Sequence, residues 1–382
     1  MSYSFDTLVE RRGTAAVKWA RYADDVLPMW VADMDFAVAP EIAAALAERV
    51  AHPVFGYGII TDALRQHIVD DMAERYAWTI RPDDIVFLPG VVPGFNLALS
   101  ALLQPGDGVT VQTPAYPPIL AAPGHWHLKR HDVELLAYDG RYVVDMEAMT
   151  SALDRSRALL LCNPHNPTGR VFERDELAAI AAAVVDRDAY IISDEIHCDI
   201  VYGGHRHIPV ATLGPEVAAR TITLMAASKT YNVAGLQAAF AIITDAKLRH
   251  RFTAAQRGLV ERPNVLGLEA TYAAFSQGTA WKADLVAYLE ANRDHLASEM
   301  ARRFPGIRML APEGTFLAWL DCSALELGPS AQAFFLDKGR VAFNPGTDYL
   351  SDKSAFVRLN FGCPRALLDD GLNRMAAALS QR

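Results

Sequence analysis

Met225–Gln237 reads MAASKTYNVAGLQ, and it begins where a short apolar run ends. That run, Thr221–Met225, is predicted to be a buried strand because it is rich in apolar and β-branched residues. Lys229 then stands where the strand gives way to a loop. A lysine shielded from water tends to lose its proton, and the neutral amine can attack a carbonyl group. Lys229 is therefore a candidate nucleophile, and the alternative is a lysine that merely reaches solvent.

Short apolar runs of the same kind recur along the chain and alternate with helical patterns. The predicted strands lie at 85–88, 109–111, 158–162, 189–192, 221–225 and 239–243. Residues 93–103 and 177–184, which lie between them, are predicted to be helices. This alternation predicts an α/β protein with a mostly parallel sheet covered on both faces. The C-terminal part has a different pattern, which predicts a second, smaller α+β domain.

Polar or glycine-rich segments follow four of the predicted strands, and ligand sites in open α/β sheets lie at such carboxyl ends. Leu88–Gly94 (LPGVVPG) is a glycine turn before a helix, whose N-terminus can hold an anion. Asn163–Gly169 (NPHNPTG) contains two Asn-Pro steps, which favour a tight extended path over an ordinary turn. Ser193–His197 (SDEIH) places a carboxylate at a buried strand end, where it needs a partner. The fourth segment carries Lys229.

Asn166, Asp194 and Lys229 are the groups that pyridoxal phosphate (PLP) requires from a protein. Lysine forms a Schiff base, aspartate keeps the ring nitrogen protonated, and asparagine bonds the ring's 3-oxygen. With these residues in this order, NPHNPTG, SDE and SK resemble the fold-type-I PLP enzymes of the class I/II aminotransferase superfamily. The resemblance covers essentially the whole chain.

The resemblance implies an architecture. We expect the aspartate aminotransferase-like α/β fold, with a mostly parallel seven-strand sheet in a large PLP-binding domain over residues 40–275. Residues 1–39 and 276–382 are expected to form a smaller α+β domain. It also implies a homodimer, because Tyr57 matches the tyrosine that reaches the phosphate of the neighbouring subunit's cofactor.

The resemblance also implies roles for individual residues at the cofactor. Lys229 matches the Schiff-base lysine, Asp194 the pyridinium partner, and Asn166 the 3-oxygen partner. Tyr116, in TPAYPP, would stack on the ring. The other expected cofactor contacts are Val91, Val92, His197 and Ser228.

Further matches concern the substrate. Arg358, in FVRLNFG, matches the arginine that clamps the substrate α-carboxylate in bidentate fashion. Ala32 and Trp30 are the other expected substrate-binding residues. Trp30 lies near the family's substrate entrance, and packing in the core is the alternative for it. Lys229 and Tyr57 are the residues expected to take part in catalysis.

Two positions depart from the usual aminotransferase pattern. His197 replaces a tyrosine three residues after the aspartate, and Gln237 replaces an arginine that commonly grips the phosphate. Together with Pro28–Phe36 (PMWVADMDF), GVVPGFN and SDEIHCDI, these departures resemble the cystathionine β-lyase, or cysteine C–S lyase, branch. That branch implies α,β-elimination of a thiol from cystathionine or related cysteine S-conjugates. An aminotransferase is the alternative, and a PLP-binding regulatory protein is a third possibility.

Composition excludes several other classes of protein. The net charge of −9 argues against nucleic-acid or anionic-membrane partners. Four scattered cysteines without CxxC spacing indicate free thiols in a reducing compartment, and the N-terminus has no long apolar run, so we expect a cytoplasmic protein. His205 and His207 form an HxH pattern, but they have no clustered acid or cysteine. A surface loop is the interpretation, and no metal site is predicted.

Overall fold

The computed structural model describes residues 3–382; residues 1 and 2 of the predicted small domain lie outside the described residues. The strands are β1 (Leu27–Pro28), β2 (Ile85–Leu88), β3 (Gly108–Thr113), β4 (Lys129–Tyr138), β5 (Arg141–Val144), β6 (Ala158–Cys162), β7 (Tyr190–Asp194), β8 (Thr221–Met225), β9 (Ala239–Ile242), β10 (Arg308–Met309), β11 (Leu317–Asp321), β12 (Val341–Ala342), β13 (Asn344–Pro345) and β14 (Phe356–Asn360).

Helices alternate with many of these strands. They are α1 (Val17–Ala20), α2 (Pro40–Ala51), α3 (Asp62–Tyr76), α4 (Val91–Leu102), α5 (Pro117–His125), α6 (Met146–Leu153), α7 (Arg174–Val185), α8 (Pro215–Ala218), α9 (Ala246–Gln256), α10 (Val265–Gln277), α11 (Thr279–Arg303), α12 (Ala331–Gly339) and α13 (Arg365–Leu379). Within residues 3–382, none of these helices combines the length and the apolar character needed to cross a membrane.

The large sheet has the strand order β2-β9-β8-β7-β6-β3-β4-β5. Neighbours from β8 through β4 are parallel, whereas β9 pairs antiparallel with both β8 and β2. Strands β6 and β8 are buried at every position, which is why their sequences are continuous apolar runs. The predicted α/β fold with a mostly parallel sheet is confirmed.

The predicted strand number was wrong by one, because the sheet has eight strands. The additional strand is β5, which pairs antiparallel with β4 at the sheet edge. Asp139 and Gly140 join the two strands in a tight turn, and both have positive φ angles, 47° and 78°. Every residue of β5 is only half-buried, so this edge strand lacks the apolar run that marks the central strands.

A second, antiparallel sheet has the order β10-β11-β14-β13. In it Trp319 of β11 stands opposite Arg358 of β14, which fixes the position of that arginine. Strand β1 pairs in parallel with β12, so the N-terminal segment joins the C-terminal part of the chain. The boundaries at residues 40 and 275 stay a prediction, since one apolar cluster contains both Ile42 and Phe361.

A buried ionic cluster holds the N-terminal segment in place. The Lys18 ammonium lies 2.6 Å from the Asp35 carboxylate, and both side chains are almost fully buried. Arg11 binds the same carboxylate at 2.6 Å and also binds Asp33 at 2.8 Å. Burial raises the pKa of Asp35, but Lys18, Trp19 and Arg11 outweigh that effect and hold the pKa below its ordinary value. The cluster therefore fixes the path of residues 28–36.

Substituting Lys18 is expected to destabilise the protein strongly. Lys18→Met leaves the buried Asp35 carboxylate with less compensation, so we expect a loss of about 3 kcal/mol in the free energy of unfolding. Lys338→Met is the matched control, because Lys338 is 47% exposed and pairs only with a neighbouring exposed aspartate. Its loss should stay below about 0.5 kcal/mol. Urea unfolding followed by circular dichroism measures both, and equal losses would contradict the prediction.

Candidate active site

The carboxyl ends of β6, β7 and β8 and the N-terminus of α4 surround one cavity of about 350 Å³. The polar segments that follow these strands in the sequence therefore meet at one place, as the parallel topology requires. The cavity is lined by Val31, Ala32, Gly90, Val91, Val92, Pro93, Tyr116, Pro117, Cys162, Asn166, Asp194, Ile196, His197, Ser228, Lys229, Ala234, Asn344, Tyr349 and Arg358.

Lys229 lies in the turn that follows β8, and its ammonium group points to the cavity. Nζ donates a hydrogen bond to the carbonyl oxygen of Ala32 at 2.7 Å. Burial and, secondly, the positive charge of Arg358 lower the pKa of Lys229 to about 8, although Asp33 and Asp194 oppose this. A substantial fraction of the amine is therefore unprotonated near neutral pH, as a nucleophile or a base requires.

Buried ion pairs fix the turn of Lys229 from behind. The hydroxyl of Thr230 donates to a carboxylate oxygen of Asp199 at 2.7 Å. Asp199 pairs in turn with Arg75 of α3 at 2.5 Å and with Lys282 of α11 at 3.3 Å. Burial raises the pKa of Asp199, but these two cations outweigh it and hold the pKa below its ordinary value. The lysine backbone is thus tied to two helices.

Asp194 is the last residue of β7 and is buried. One carboxylate oxygen accepts the backbone N–H of Ile196 at 3.2 Å, and the carboxylate forms no ion pair with any of residues 3–382. Burial raises the pKa of Asp194 to about 7. A buried carboxylate without an ion pair destabilises the folded protein, and a cationic ligand would compensate its charge.

The raised pKa has a consequence for stability. Between pH 4 and 7 Asp194 holds a proton in the folded protein that it releases in the unfolded chain. Its contribution therefore lowers the free energy of unfolding increasingly as pH rises, and this loss is complete above pH 7. Asp194→Asn should therefore stabilise the cofactor-free protein at pH 8 by about 3 kcal/mol, and by less at pH 5. Urea unfolding at both pH values measures this.

Asp199→Asn is the matched control for that experiment. The pKa of Asp199 is lowered, so its stabilising effect is present above its ordinary pKa, and the substitution should destabilise the protein at pH 8. The two variants thus have opposite expected signs. If both Asp194→Asn and Asp199→Asn destabilise the protein at pH 8, the ionised Asp194 does not destabilise the folded state and the prediction is wrong.

Arg358 of β14 reaches the cavity from the second sheet. Nη1 donates to Oδ1 of Asn166 at 3.0 Å, and Nη2 donates to Oδ1 of Asn344 at 2.6 Å and to the carbonyl oxygen of Trp30 at 2.8 Å. Its guanidinium carbon lies 5.1 Å from the ring of Tyr349. Because Oδ1 of Asn166 accepts from Arg358, the amide NH₂ of Asn166 is left for a ligand oxygen.

The two departures from the usual pattern have different surroundings. His197 is buried at the cavity wall, with its ring edge against Phe316 at a centroid distance of 5.7 Å. Burial, and then Lys229 and Arg358, lower the pKa of His197 well below its ordinary value, so the ring is neutral. Its Nδ1 has no hydrogen-bond partner among the residues described. Gln237 is exposed and does not line the cavity.

Ten of the twelve predicted site residues line this one cavity, and two do not. The first turn of α4 brings Val91 and Val92 to it; the helix begins at Val91 instead of the predicted Pro93, because the extended Gly90 precedes its first turn. Tyr57 is fully exposed on a separate loop. The Trp30 indole donates instead to the carbonyl oxygen of Lys18.

Sequence reasoning missed several residues of the site. Asn344 and Tyr349 contact Arg358, but Asn344 opens a two-residue strand and Tyr349 follows a short turn, and neither element carries a motif. His207 was predicted to lie in a surface loop. It does lie in a loop, but its side chain is buried. Its Nε2 lies 2.7 Å from Glu195, one residue beyond Asp194.

Comparison with known proteins agrees with this geometry. The model of the family "Aminotransferase class I and II" matches residues 24–375. Cystathionine beta-lyase PatB from Bacillus subtilis is 39% identical, over 99% of this chain and 100% of that protein. The crystal structure of OvoB has a TM-score of 0.95 at 41% identity and full coverage of both chains.

A third relative is the PLP-bound C–S lyase from Staphylococcus hominis. Its structure has a TM-score of 0.93 at 30% identity and covers 99% of this chain and 98% of its own. The resemblance inferred from NPHNPTG, SDE and SK is thus confirmed. With the family model spanning most of its length, the chain belongs to the aminotransferase class I and II family.

Proposed function

We propose that this protein is a PLP-dependent C–S β-lyase that releases a thiol, pyruvate and ammonia from L-cysteine S-conjugates, with L-cystathionine as its substrate. The observation that carries the proposal is that Lys229, Asp194 and Arg358 line one cavity. The pKa of Lys229 is lowered, Asp194 is a buried carboxylate without an ion pair within residues 3–382, and three acceptors orient Arg358. The names of PatB and of the Staphylococcus hominis enzyme favour lyase chemistry over aminotransfer.

The residues at the cavity fit PLP as a cofactor. Asp194 is a buried carboxylate that lacks an ion pair within residues 3–382, which suits a protonated pyridine nitrogen. The first backbone N–H groups of α4, at Val91 and Val92, have no partners within the helix and suit a phosphate. The amide NH₂ of Asn166 suits the ring's 3-oxygen, and Tyr116 offers an aromatic face.

When bound, PLP supplies an electron-withdrawing ring that makes the substrate's α-proton acidic and allows the β-thiolate to leave. Asp194 would hold the proton on the ring nitrogen. Arg358 binds the substrate α-carboxylate through its guanidinium, which its three acceptors already orient. Lys229 would hold the cofactor through Nζ before substrate binds, and the freed Nζ would take the α-proton of the substrate, which its lowered pKa permits.

We further propose that the active unit is a homodimer. Tyr57 stands fully exposed beside the exposed apolar residues Val54, Phe55 and Ile59, and such a patch on a folded chain marks an interaction surface. In the dimer Tyr57 enters the partner's cavity. The four cysteines are free and buried, which supports a cytoplasmic location. Sedimentation at micromolar concentration tests the dimer, and a monomer with full activity would contradict it.

The function is tested with purified protein and L-cystathionine in the absence of any keto acid. A lyase releases pyruvate and thiol over many turnovers. An aminotransferase stops after one turnover, when its cofactor holds the amino group, and resumes only when a keto acid is added. That second result would overturn the lyase assignment, and the absence of any visible cofactor absorption would overturn the PLP assignment itself.

A further inference from the structure

An exposed cation, Arg21, stands above the ring of Trp30, which immediately precedes the cavity residue Val31. The guanidinium carbon of Arg21 lies 5.5 Å from the ring centroid of Trp30 and 5.9 Å from that of Tyr22. The two rings meet edge to face at 5.9 Å and form a small aromatic platform. Trp30 is also the residue whose carbonyl oxygen accepts from Arg358 at 2.8 Å. Arg21 is thus connected to the substrate-binding arginine through one residue.

An exposed anion, Asp348, lies next to the cavity residue Tyr349 in the chain. Asp348 ends the short turn Gly346–Asp348 and immediately precedes Tyr349, which lines the cavity and faces the Arg358 guanidinium at 5.1 Å. Partial burial raises the pKa of Asp348, while the positive charges of Arg358 and Arg21 oppose that rise. Asp348 thus adjoins, in the chain, the residue whose ring the Arg358 guanidinium faces.

These two charged groups are not used by the fold. Within the part of the chain that the structure describes, the side chains of Arg21 and Asp348 form no hydrogen bond and no ion pair, unlike Arg11 and Lys18 of the same N-terminal segment. The aromatic platform orients the Arg21 guanidinium through cation–π contact while leaving its N–H donors free. A positive and a negative group thus remain available beside segments that line the cavity, at Val31 and at Tyr349.

We propose that Arg21 and Asp348 bind the distal amino-acid group of the substrate, with Arg21 on its carboxylate and Asp348 on its ammonium. The inference rests on the proposed lyase function and names the leaving group, a thiol that itself carries an α-amino acid. Arg358 holds the α-carboxylate next to the bond that breaks, so a zwitterion at the other end of the substrate meets a complementary pair of charges. An S-alkyl substrate, which has an uncharged leaving group, gains nothing from this pair.

The test compares Arg21→Gln and Asp348→Asn with the wild-type holoenzyme on L-cystathionine and on S-ethyl-L-cysteine, with pyruvate release as the readout. Each variant should lose about tenfold in kcat/KM on L-cystathionine, mainly through KM, because one charge-assisted hydrogen bond is removed. On S-ethyl-L-cysteine each should stay within about twofold of wild type. Turnover of that substrate also shows that the variants are folded and hold the cofactor.

Substrates with one distal charge separate the two roles. On S-carboxyethyl-L-cysteine, Arg21→Gln should lower kcat/KM and Asp348→Asn should leave it unchanged. On S-aminoethyl-L-cysteine, Asp348→Asn should lower kcat/KM and Arg21→Gln should leave it unchanged. Equal losses on all four substrates, or none on L-cystathionine, would overturn this inference and leave the lyase assignment standing. If wild type releases no pyruvate from any of them, the lyase assignment fails and this inference fails with it.

Discussion

Lys229→Ala is expected to lower kcat for pyruvate release from L-cystathionine by at least about 10⁴-fold, because it removes the base that we propose takes the α-proton. In the structure no other lysine lines the cavity among residues 3–382. The amine of Lys229 is also the group whose pKa lies near working pH, at about 8, as a result of burial and of Arg358. Steady-state kinetics and an absorption spectrum of the same preparation measure the loss.

Lys229→Arg is the control that separates charge from proton transfer. Arginine keeps the positive charge and much of the length of lysine, but it does not lose its proton in proteins. If Lys229 acts as a base, both variants are inactive while their unfolding midpoints stay close to wild type. More than about 1% of wild-type kcat in Lys229→Arg would show that deprotonation at this position is not required.

Arg358→Lys is expected to reduce kcat/KM by about 10²–10³-fold even though it keeps a positive charge. The guanidinium uses Nη1 on Asn166 and Nη2 on Asn344 and the Trp30 carbonyl, and these acceptors fix its plane for a bidentate carboxylate. An ammonium group has neither the reach nor the planar pair of donors. Kinetics on L-cystathionine measure the effect.

Arg365→Lys is the matched control for that substitution. Arg365 opens α13 five residues after β14 ends, and its Nε donates to Asn292 away from the cavity. Its kcat/KM should stay within about threefold of wild type. Arg358→Lys should still bind the cofactor, because only one of the three hydrogen bonds of Arg358 is to a proposed PLP contact, Asn166. A loss below tenfold would contradict bidentate binding.

The residues at strand ends were predictable because their signal is local. Asn166, Asp194 and Lys229 each follow a short apolar run, and parallel strands bring their carboxyl ends to one edge of the sheet. The strand that precedes each residue and the residue itself lie within a few positions of each other. A short stretch of sequence therefore contains both the strand and the site residue at its carboxyl end.

The other parts of the site depend on contacts between distant segments, which leave no local pattern. Asn344 meets Arg358 only through the pairing of β13 with β14. Lys18 is a single charged residue in a four-residue helix, and its burial against Asp35 follows from the path of residues 28–36. Tyr57 lies away from its own chain's cavity, so no contact within the chain tests its predicted role.

The contact between Arg358 and the Trp30 carbonyl joins residues 328 positions apart in the chain. During synthesis residues 28–36 leave the ribosome before their partners in β12 and β14. Asn166, Asp194 and Lys229 emerge in between, on strands that can already pair with one another. A growing chain therefore contains Lys229 before it contains Arg358, whose positive charge helps to lower the pKa of that lysine. The proposed site is complete only after β12 and β14 have been made and have met residues 28–36.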